Sequence, residues 1–304
     1  MTDISYSQEQ LNPLSISQKD RIEREERSFI NDFIYNLRKN KVAVILLFML
    51  LIIVIASLCA PLSPYDPDKV SIAEKYMQPS SIHWFGTDDM GRDYFTRALY
   101  GGRVSLSVGL FSMIISTVFG VLYGSLSGYA GGKIDAIMMR FVDVFMSIPS
   151  FVLIVVINAY VSANITTLII IIAIFSWMSV ARITRAGTMS LKERDFVMAS
   201  ENFGASKWHV LIKHIIPNMT SQIIVASSIS MAQAILTESA LSFMGFGVQL
   251  PKASWGSMLQ SAQKDILKSP LLAIYPGLLI LITVMSFNLL GDVLRETLEP
   301  RNRK

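Results

Sequence analysis

Apolar residues lie along this chain in long blocks separated by shorter polar stretches. Five blocks contain no Asp, Glu, Lys or Arg, and they cover residues 42–60, 104–130, 144–181, 217–237 and 269–291. A hydrocarbon core about 30 Å thick is crossed by about 20 helical residues. Each block is long enough for one span, and the third block is long enough for two. The pattern therefore predicts an all-α membrane protein with six transmembrane helices.

The polar stretches divide the chain into regions. We expect a cytoplasmic segment at 1–41, a first anchor at 42–60, an external loop region at 61–103, a five-helix core at 104–292 and a cytoplasmic tail at 293–304. Residues 1–18 are expected to lack regular structure, and residues 19–41 are a candidate for a charged helix. Because the first apolar run begins only at residue 42, it is predicted to be a retained anchor rather than a signal peptide. Turns are expected at 128–133 and 162–164.

The distribution of basic residues predicts the orientation of these spans. With the N-terminus inside, 19 Lys and Arg residues fall in cytoplasmic segments and 8 in external segments. Cytoplasmic loops of membrane proteins carry the excess of Lys and Arg. The chain is therefore predicted to have both termini in the cytoplasm.

Small residues and prolines predict how the spans pack. Gly120, Gly124 and Gly128 repeat every four residues, which is typical of a face where two membrane helices approach closely. Pro149 and Pro276 interrupt the hydrogen bonding of the third and sixth spans and predict kinks within the bundle.

Ionisable residues lie only near the ends of the predicted spans. Arg140 and Asp143 are three residues apart on one helix face and can pair, while Glu238 falls at the outer end of the fifth span. No carboxylate or histidine is expected to be buried at a span centre. This disfavours a secondary transporter coupled to protons or ions.

The composition excludes several classes of protein. The chain is 52% hydrophobic and 16% charged, against about 25% charged residues in soluble domains. A soluble enzyme, a nucleic-acid-binding module and a disordered tail are thereby ruled out. The net charge of +4 fits basic cytoplasmic loops.

The cysteine and histidine content predicts neither a disulfide nor a metal site. The single Cys59 cannot form an internal disulfide. His209 and His214, five residues apart, are predicted to lie on different helix faces, so no metal site is expected.

No motif for catalysis or ATP hydrolysis is visible. The sequence contains no G-x-x-x-x-G-K-[ST] phosphate loop and no plausible combination of Ser or Cys with His and Asp for hydrolysis. If the protein moves a solute uphill, the energy has to enter through another subunit.

The long polar segment between spans four and five, part of the predicted loop at 186–217, has its own helical pattern. We expect a helix at 191–203, a turn at Gly204 and a second helix from Ser206 that Pro217 ends. The apolar residues at helical spacing are Phe196, Ala199, Phe203, Trp208, Leu211 and Ile215. Two short amphipathic helices at an angle predict a knob that fits a partner's groove; the alternative is a helix pair lying on the lipid surface.

This segment resembles the cytoplasmic signature of the membrane subunits of binding-protein-dependent ABC importers, E-A-A-x(3)-G-x(9)-I-x-L-P. Gly204 and Pro217 match the signature. Its acidic first position is occupied by Met198, followed by Ala199 and Ser200, and Glu201 lies one turn later.

Further stretches resemble the oligopeptide/dipeptide/nickel branch of that family. They are HWFGTDDMGRD at 83–93, RALYGGRVSL at 97–106, MRFVD through SIP at 139–149, LSFMGFGVQ at 241–249, SWGSML at 254–259 and FNLLGDVLR at 287–295, followed by EPR at 299–301. The match runs through nearly the whole chain in order.

The resemblance implies a type I ABC importer permease fold in a bacterial or archaeal cell membrane. It implies a permease subunit, not an enzyme, that carries short peptides delivered by an external solute-binding protein; nickel or a metal–chelator complex is the alternative cargo. The implied partners are a homologous second permease, two cytoplasmic ATPase subunits that hold ATP and Mg, and membrane lipid. No nucleic acid is implied, and no cofactor is expected on this chain.

The resemblance also implies roles for single residues. The knob would be the coupling helix that contacts an ATPase, through Ala199, Ser200, Glu201, Phe203, Gly204, Ala205, Lys207 and Pro217. Gly204 would permit the turn, Phe203 and Ala199 would form the apolar contact, and Glu201, Lys207 or Lys213 would set its register by charge. Structural or pathway candidates are Arg140, Asp143, Pro149, Asn288 and Asp292.

Overall fold

The computed structural model describes residues 29–161 and 164–298, and within these ranges the chain is helical and contains no strand. The predictions for residues 1–28, for the turn at 162–163 and for 299–304 fall outside the described residues. The helices are α1 Phe29–Lys39, α2 Lys41–Leu58, α3 Tyr94–Ala130, α4 Gly132–Met146, α5 Ser150–Tyr160, α6 Ile165–Lys192, α7 Asp195–Asn202, α8 Lys207–Val210, α9 Ile216–Asn218, α10 Thr220–Phe243, α11 Trp255–Ala262 and α12 Leu271–Leu298.

Five of these helices are long and apolar enough to cross a membrane: α2, α3, α6, α10 and α12. The pair α4 and α5 counts as a sixth span if its two halves are taken together. The predicted kink at Pro149 is confirmed, because this pair bends by 72° at the break that contains the proline. Pro276 lies inside α12.

The bundle has two ends that are built from different segments of the chain. We call the end that carries residues 130–132 and 192–218 the knob end, and the end that carries residues 59–93 and 244–270 the cap end. Helices α3, α6 and α12 run from the cap end to the knob end, and α2 and α10 run in the opposite direction.

The closest helix contact in the bundle joins α3 and α6, where the three glycines of α3 face α6. A methyl group added to Gly124 would overlap the backbone oxygen of Ala181, and one on Gly128 would press on Thr188. The hydroxyl of Thr184 donates a hydrogen bond to the backbone oxygen of Gly120 at 3.1 Å. The predicted contact face is confirmed.

Polar side chains join the other spans to this pair. Ser116 and Thr117 of α3 lie 3.3 and 3.2 Å from Ser230 and Ser227 of α10, oxygen to oxygen. Helix α12 packs against α10 and α2. Hydroxyl contacts of this kind hold membrane helices together where apolar burial between helices gives little.

The cap end is folded around buried charges. The guanidinium of Arg92 donates to Asp88 at 2.7 Å, Arg97 pairs with Asp68 at 3.1 Å, and all but Asp68 are buried. Asp93 accepts the backbone N–H of the first turn of α3 at 2.7 Å. Helix α3 therefore begins at Tyr94, within the region that hydropathy alone assigned to an external loop.

The two parts of the cap are also joined to each other. Lys264 lies 2.5 Å from Asp89, and the hydroxyl of Tyr76 donates to Asp265 at 2.9 Å. The carboxylate of Asp89 holds the pKa of Lys264 above its ordinary value. Residues 59–93 and the segment before α12 consequently form one structured surface.

Candidate functional site

The segment between α6 and α10 forms a knob (residues 195–218) at one end of the bundle. Helix α7 ends at Asn202, and Gly204 follows with a φ of +83°. A side chain at this position would meet no atom within 4 Å, so the glycine is required by its backbone conformation rather than by space. Ser206 then caps α8 by accepting the backbone N–H of His209 at 3.3 Å. The predicted turn at Gly204 is confirmed.

One face of the knob is packed into the protein. Its buried cluster contains Tyr129, Val197, Val210, Leu211, Ile215 and Met219. These residues come from α3, from α7 and from the helical segment that leads into α10. The knob is therefore a rigid part of the bundle rather than a loose loop.

The other face of the knob exposes large apolar side chains. Phe203 at the turn is 92% exposed and Trp208 is 57% exposed; Phe196 and Ala199 are exposed as well. Of the apolar set predicted from spacing, only Leu211 and Ile215 are buried. An exposed aromatic patch on a rigid support is typical of a surface that binds another protein.

The other candidates of the knob have different surroundings. Ala205 is half-buried, and its backbone N–H donates to the backbone oxygen of Ser200 at 3.1 Å, which closes the turn. Lys207, Lys213 and Pro217 are exposed.

Glu201 forms a hydrogen bond to another residue of this chain. Its carboxylate accepts a hydrogen bond of 2.5 Å from the hydroxyl of Tyr129 at the end of α3. Lys192 at the end of α6 donates to the backbone oxygen of Tyr129 at 2.6 Å, and its ammonium group lies 5.2 Å from the centre of the tyrosine ring. These contacts join the knob to α3 and α6, the two most closely packed spans.

The helix boundaries of the knob differ from the prediction. The first helix begins at Asp195 rather than at residue 191, because α6 continues to Lys192. The prediction that Pro217 ends the second helix is wrong. The backbone stays helical through a π turn at Leu211–Ile215, and Pro217 stands in the first turn of α9, where a helix does not use its N–H.

The same π turn changes the placement of the two histidines. The rings of His209 and His214 lie 5.7 Å apart between centres, so the prediction that they occupy different faces is wrong. In a π turn the hydrogen bonds join residues five apart, as the bond from the N–H of Ile216 to the oxygen of Leu211 shows. This bonding brings residues 209 and 214 to one side.

A second group of candidates lies on α4 at the bend. Asp143 pairs with Arg182 of α6 at 2.5 Å, and the two side chains are 49% and 47% exposed. The predicted pairing of Asp143 with Arg140 is therefore wrong, and Arg140 is exposed one turn nearer the knob end. An arginine on the facing helix offers its guanidinium more directly than a neighbour on the same helix.

The remaining candidates, Asn288 and Asp292, lie on α12. Asn288 is half-buried and Asp292 is exposed. Both residues lie in the second half of α12, which ends at the knob end of the bundle.

Sequence reasoning missed a buried carboxylate. Glu238 of α10 lies near the end of its span, as predicted, but it is 0% exposed, and nothing in the sequence indicated this burial. The hydroxyls of Ser105 and Ser242 donate to it at 2.8 and 2.7 Å. The oxygens of these serines in turn accept the backbone N–H groups of Trp255 and Val248 at 3.2 and 3.1 Å. Glu238 thus joins α3 and α10 to the segment that precedes α11.

Two protein families match the chain. Residues 120–304 match the family described as the inner membrane component of binding-protein-dependent transport systems. Residues 28–79 match the family described as the N-terminal TM domain of oligopeptide transport permease C. The first match covers more than half of the chain and includes the knob.

Similar proteins extend over nearly the same length. The dipeptide transport system permease protein DppC of Bacillus subtilis (strain 168) is 37% identical over 296 residues, 97% of this chain and 92% of that protein. The oligopeptide transport system permease protein OppC of the same strain is 36% identical over 94% of each chain. The glutathione transport system permease protein GsiD of Pectobacterium atrosepticum is 39% identical over 84% of this chain and 85% of that protein.

A solved structure has a similar fold. Inward-facing conformations of the MetNI methionine ABC transporter contain a chain that superposes with a TM-score of 0.55 at 18% identity. The superposition covers 66% of this chain and 96% of that chain. The type I importer permease fold predicted from the sequence is thereby confirmed.

Proposed function

Because this chain belongs to the family of inner membrane components of binding-protein-dependent transport systems, we propose that it is the translocation subunit of an importer for short peptides. In this proposal ATP is hydrolysed by separate subunits, whose movement enters the chain at the knob. The cargo is proposed as peptide because relatives that cover most of the chain are named for dipeptides, oligopeptides and glutathione.

The proposal rests on one observation: the knob has an exposed turn, and its base is packed into the bundle. Phe203 is almost fully exposed at the tip, while Val197, Leu211 and Ile215 bury the base. An exposed aromatic side chain of this size gains most by entering a pocket on a partner. A fixed base is needed because a loose loop would absorb a partner's displacement instead of passing it on.

The internal contacts of the knob define a route for that displacement. Glu201 and Lys192 both bind Tyr129, so a shift of the knob acts directly on the ends of α3 and α6. These two helices are locked together by their glycine face and can move as one body. The outcome would be rigid-body rocking between two states of the pathway.

The proposed orientation places the knob end in the cytoplasm and the cap end outside. The excess of basic residues in the segments of the knob end supports it. The structured cap would then face the solute-binding protein. A homologous second permease would complete the pathway, because the broken span between α4 and α5 leaves residues 143–151 exposed on the surface of this chain.

The direct test is uptake by the assembled importer in proteoliposomes. We expect ATP-dependent accumulation of labelled trialanine when this chain, its second permease, the ATPases and the solute-binding protein are all present. We expect none when this chain is reconstituted alone. Accumulation of nickel chelate without accumulation of any di- or tripeptide would contradict the peptide assignment.

A further inference from the structure

A cleft of about 570 Å³ lies between the knob and the ends of α3 and α4. Tyr129 and Ala130, the last residues of α3, line one part of it, and Lys207 and Trp208 of α8 line another. Lys192 at the end of α6 also lines it. Because α3 and α6 are two of the spans, the cleft lies at the level where these helices leave the membrane. Its volume is typical of ligand pockets, which enclose about 300–1,000 Å³.

The charged groups of the cleft favour an anion. Two lysines and Glu201 line it, so its lining carries a net charge of +1. The ammonium group of Lys207 is exposed and has no hydrogen-bond or ion-pair partner in the part of the chain that the structure describes. Lys192 donates to the backbone oxygen of Tyr129, and its ammonium group has further donors. The carboxylate of Glu201 already accepts the hydroxyl of Tyr129.

The opposite wall of the cleft is apolar and continues the surface of the spans. Leu126 of α3 and Ile134 of α4 line the cleft, and both side chains are exposed. Further exposed apolar residues precede Leu126 at helical spacing, at Ile115, Val118 and Leu122, so they lie on one face of α3. This apolar face leads from the middle of the span into the cleft.

An amphiphile matches both halves of the cleft. A free anion would leave the apolar wall unfilled, and an apolar helix would leave the two ammonium groups unpaired. Basic pockets between membrane helices bind the headgroups of anionic lipids. Trp and Tyr, here Trp208 and Tyr129, are enriched at the level of lipid headgroups. Phe203, at the tip of the knob, does not line the cleft, so a lipid bound there leaves the tip free for a protein partner.

We propose that this cleft binds an anionic phospholipid of the surrounding membrane. The headgroup phosphate lies at Lys192 and Lys207, and the acyl chains follow the exposed face of α3. The bound lipid contacts Trp208 of the knob and Tyr129 of α3, and it therefore supports the attachment of the knob to the bundle. This inference goes beyond the proposed function, because it depends neither on the cargo nor on the side of the membrane that the knob end faces.

The test is photo-crosslinking of lipid to the complete transporter in nanodiscs of phosphatidylcholine. The probe is a trace of phosphatidylglycerol with a diazirine at the glycerol end of one acyl chain, and the labelled residues are mapped by mass spectrometry. We expect labelling within residues 126–134 or 205–211, and much less from a phosphatidylcholine probe with the same diazirine. Unlabelled phosphatidylglycerol should remove the labelling, whereas inorganic phosphate should not.

Variants of the two lysines test the headgroup contact. Lys192→Gln and Lys207→Gln should each reduce the labelling about fivefold, through the loss of one lysine's attraction to an anionic headgroup. Lys192→Arg keeps the charge and should retain the labelling. Arg194→Gln is the matched control, because Arg194 is an exposed cation two residues beyond Lys192 that does not line the cleft. It should leave the labelling unchanged, and all variants are compared as intact assemblies.

Four results would overturn the inference. Equal labelling in both glutamine variants, or by both lipid probes, would show that the cleft does not recognise an anionic headgroup. Competition by inorganic phosphate would indicate a site for the free anion. Absence of label from the cleft in the complete transporter would show that another subunit covers it. None of these results changes the proposed function, which the uptake assay tests separately.

Discussion

Replacing Phe203 with aspartate should reduce ATP-driven uptake by the assembled importer at least about tenfold while the chain still inserts into the membrane. The side chain is 92% exposed at the tip of the knob, so the folded chain loses no packing. The change places a charge where an aromatic ring is proposed to enter a pocket on the ATPase. Loss of such an aromatic anchor costs about 2 kcal/mol or more, which is about thirtyfold in affinity.

The measurement is co-purification of the ATPase subunits with the chain, together with uptake. Phe203→Tyr keeps the aromatic ring and should bind the ATPases almost normally. Leu267→Asp is a matched control, because Leu267 is equally exposed but lies at the cap end; it should not affect ATPase binding. Normal ATPase binding and uptake by Phe203→Asp would reject the assignment of the knob.

Replacing Glu238 with glutamine should destabilise the chain despite the close similarity in shape. The oxygens of Ser105 and Ser242 already accept backbone N–H groups, so each hydroxyl hydrogen points to Glu238. The two hydroxyls donate to different oxygens of the carboxylate. In glutamine one of these oxygens is replaced by an NH₂ group, which cannot accept a hydrogen bond. One of the two serine hydroxyls therefore loses its acceptor. A buried donor left without an acceptor costs about 1–3 kcal/mol.

The measurement is the midpoint of thermal unfolding in detergent. Glu238→Gln should lower it, and Glu238→Ala should lower it further because a cavity is added and both hydroxyls lose their acceptor. Glu193→Gln, an exposed change of the same chemistry, should leave the midpoint where it is. An unchanged midpoint for Glu238→Gln would show that the serine contacts do not support the fold.

Local periodicity made the spans and their main contact readable from the sequence. The spacing of Gly120, Gly124 and Gly128 places them on one face of any helix, so a close approach followed without knowledge of the partner. The turn at Gly204 was readable for a similar reason, because the backbone conformation there is a local requirement. The bend at Pro149 was also local, although its angle was not.

Contacts between distant segments could not be read in this way. Ser242 lies one turn from Glu238 on the same helix and is visible as a potential partner, but Ser105 is 133 residues away. The position of Glu238 at the end of an apolar block gave no sign of burial, because nothing in the pattern shows that residues 254–255 fold back over it. The ion pairs of the cap, such as Arg97 with Asp68, are hidden for the same reason.

The π turn at Leu211–Ile215 was hidden for a different reason. It shifts the hydrogen bonding by one residue without changing the hydropathy pattern, and an α-helical spacing was therefore assumed. That assumption separated His209 from His214 and made Pro217 look like the end of a helix. The prediction of a knob did not depend on these two assumptions, because the turn of the knob and its buried base depend on Gly204, Val197 and Leu211.

In the proposed function the knob is a cytoplasmic surface covered by the ATPases. The decisive experiment labels Phe203→Cys with a membrane-impermeant maleimide in a Cys59→Ser background, since Cys59 is itself exposed. We expect labelling in inverted vesicles only and strong protection when the ATPase subunits are bound, while Val70→Cys in the cap should be labelled only in right-side-out vesicles. Labelling of residue 203 from the outside, or labelling that bound ATPases do not reduce, would contradict this proposal.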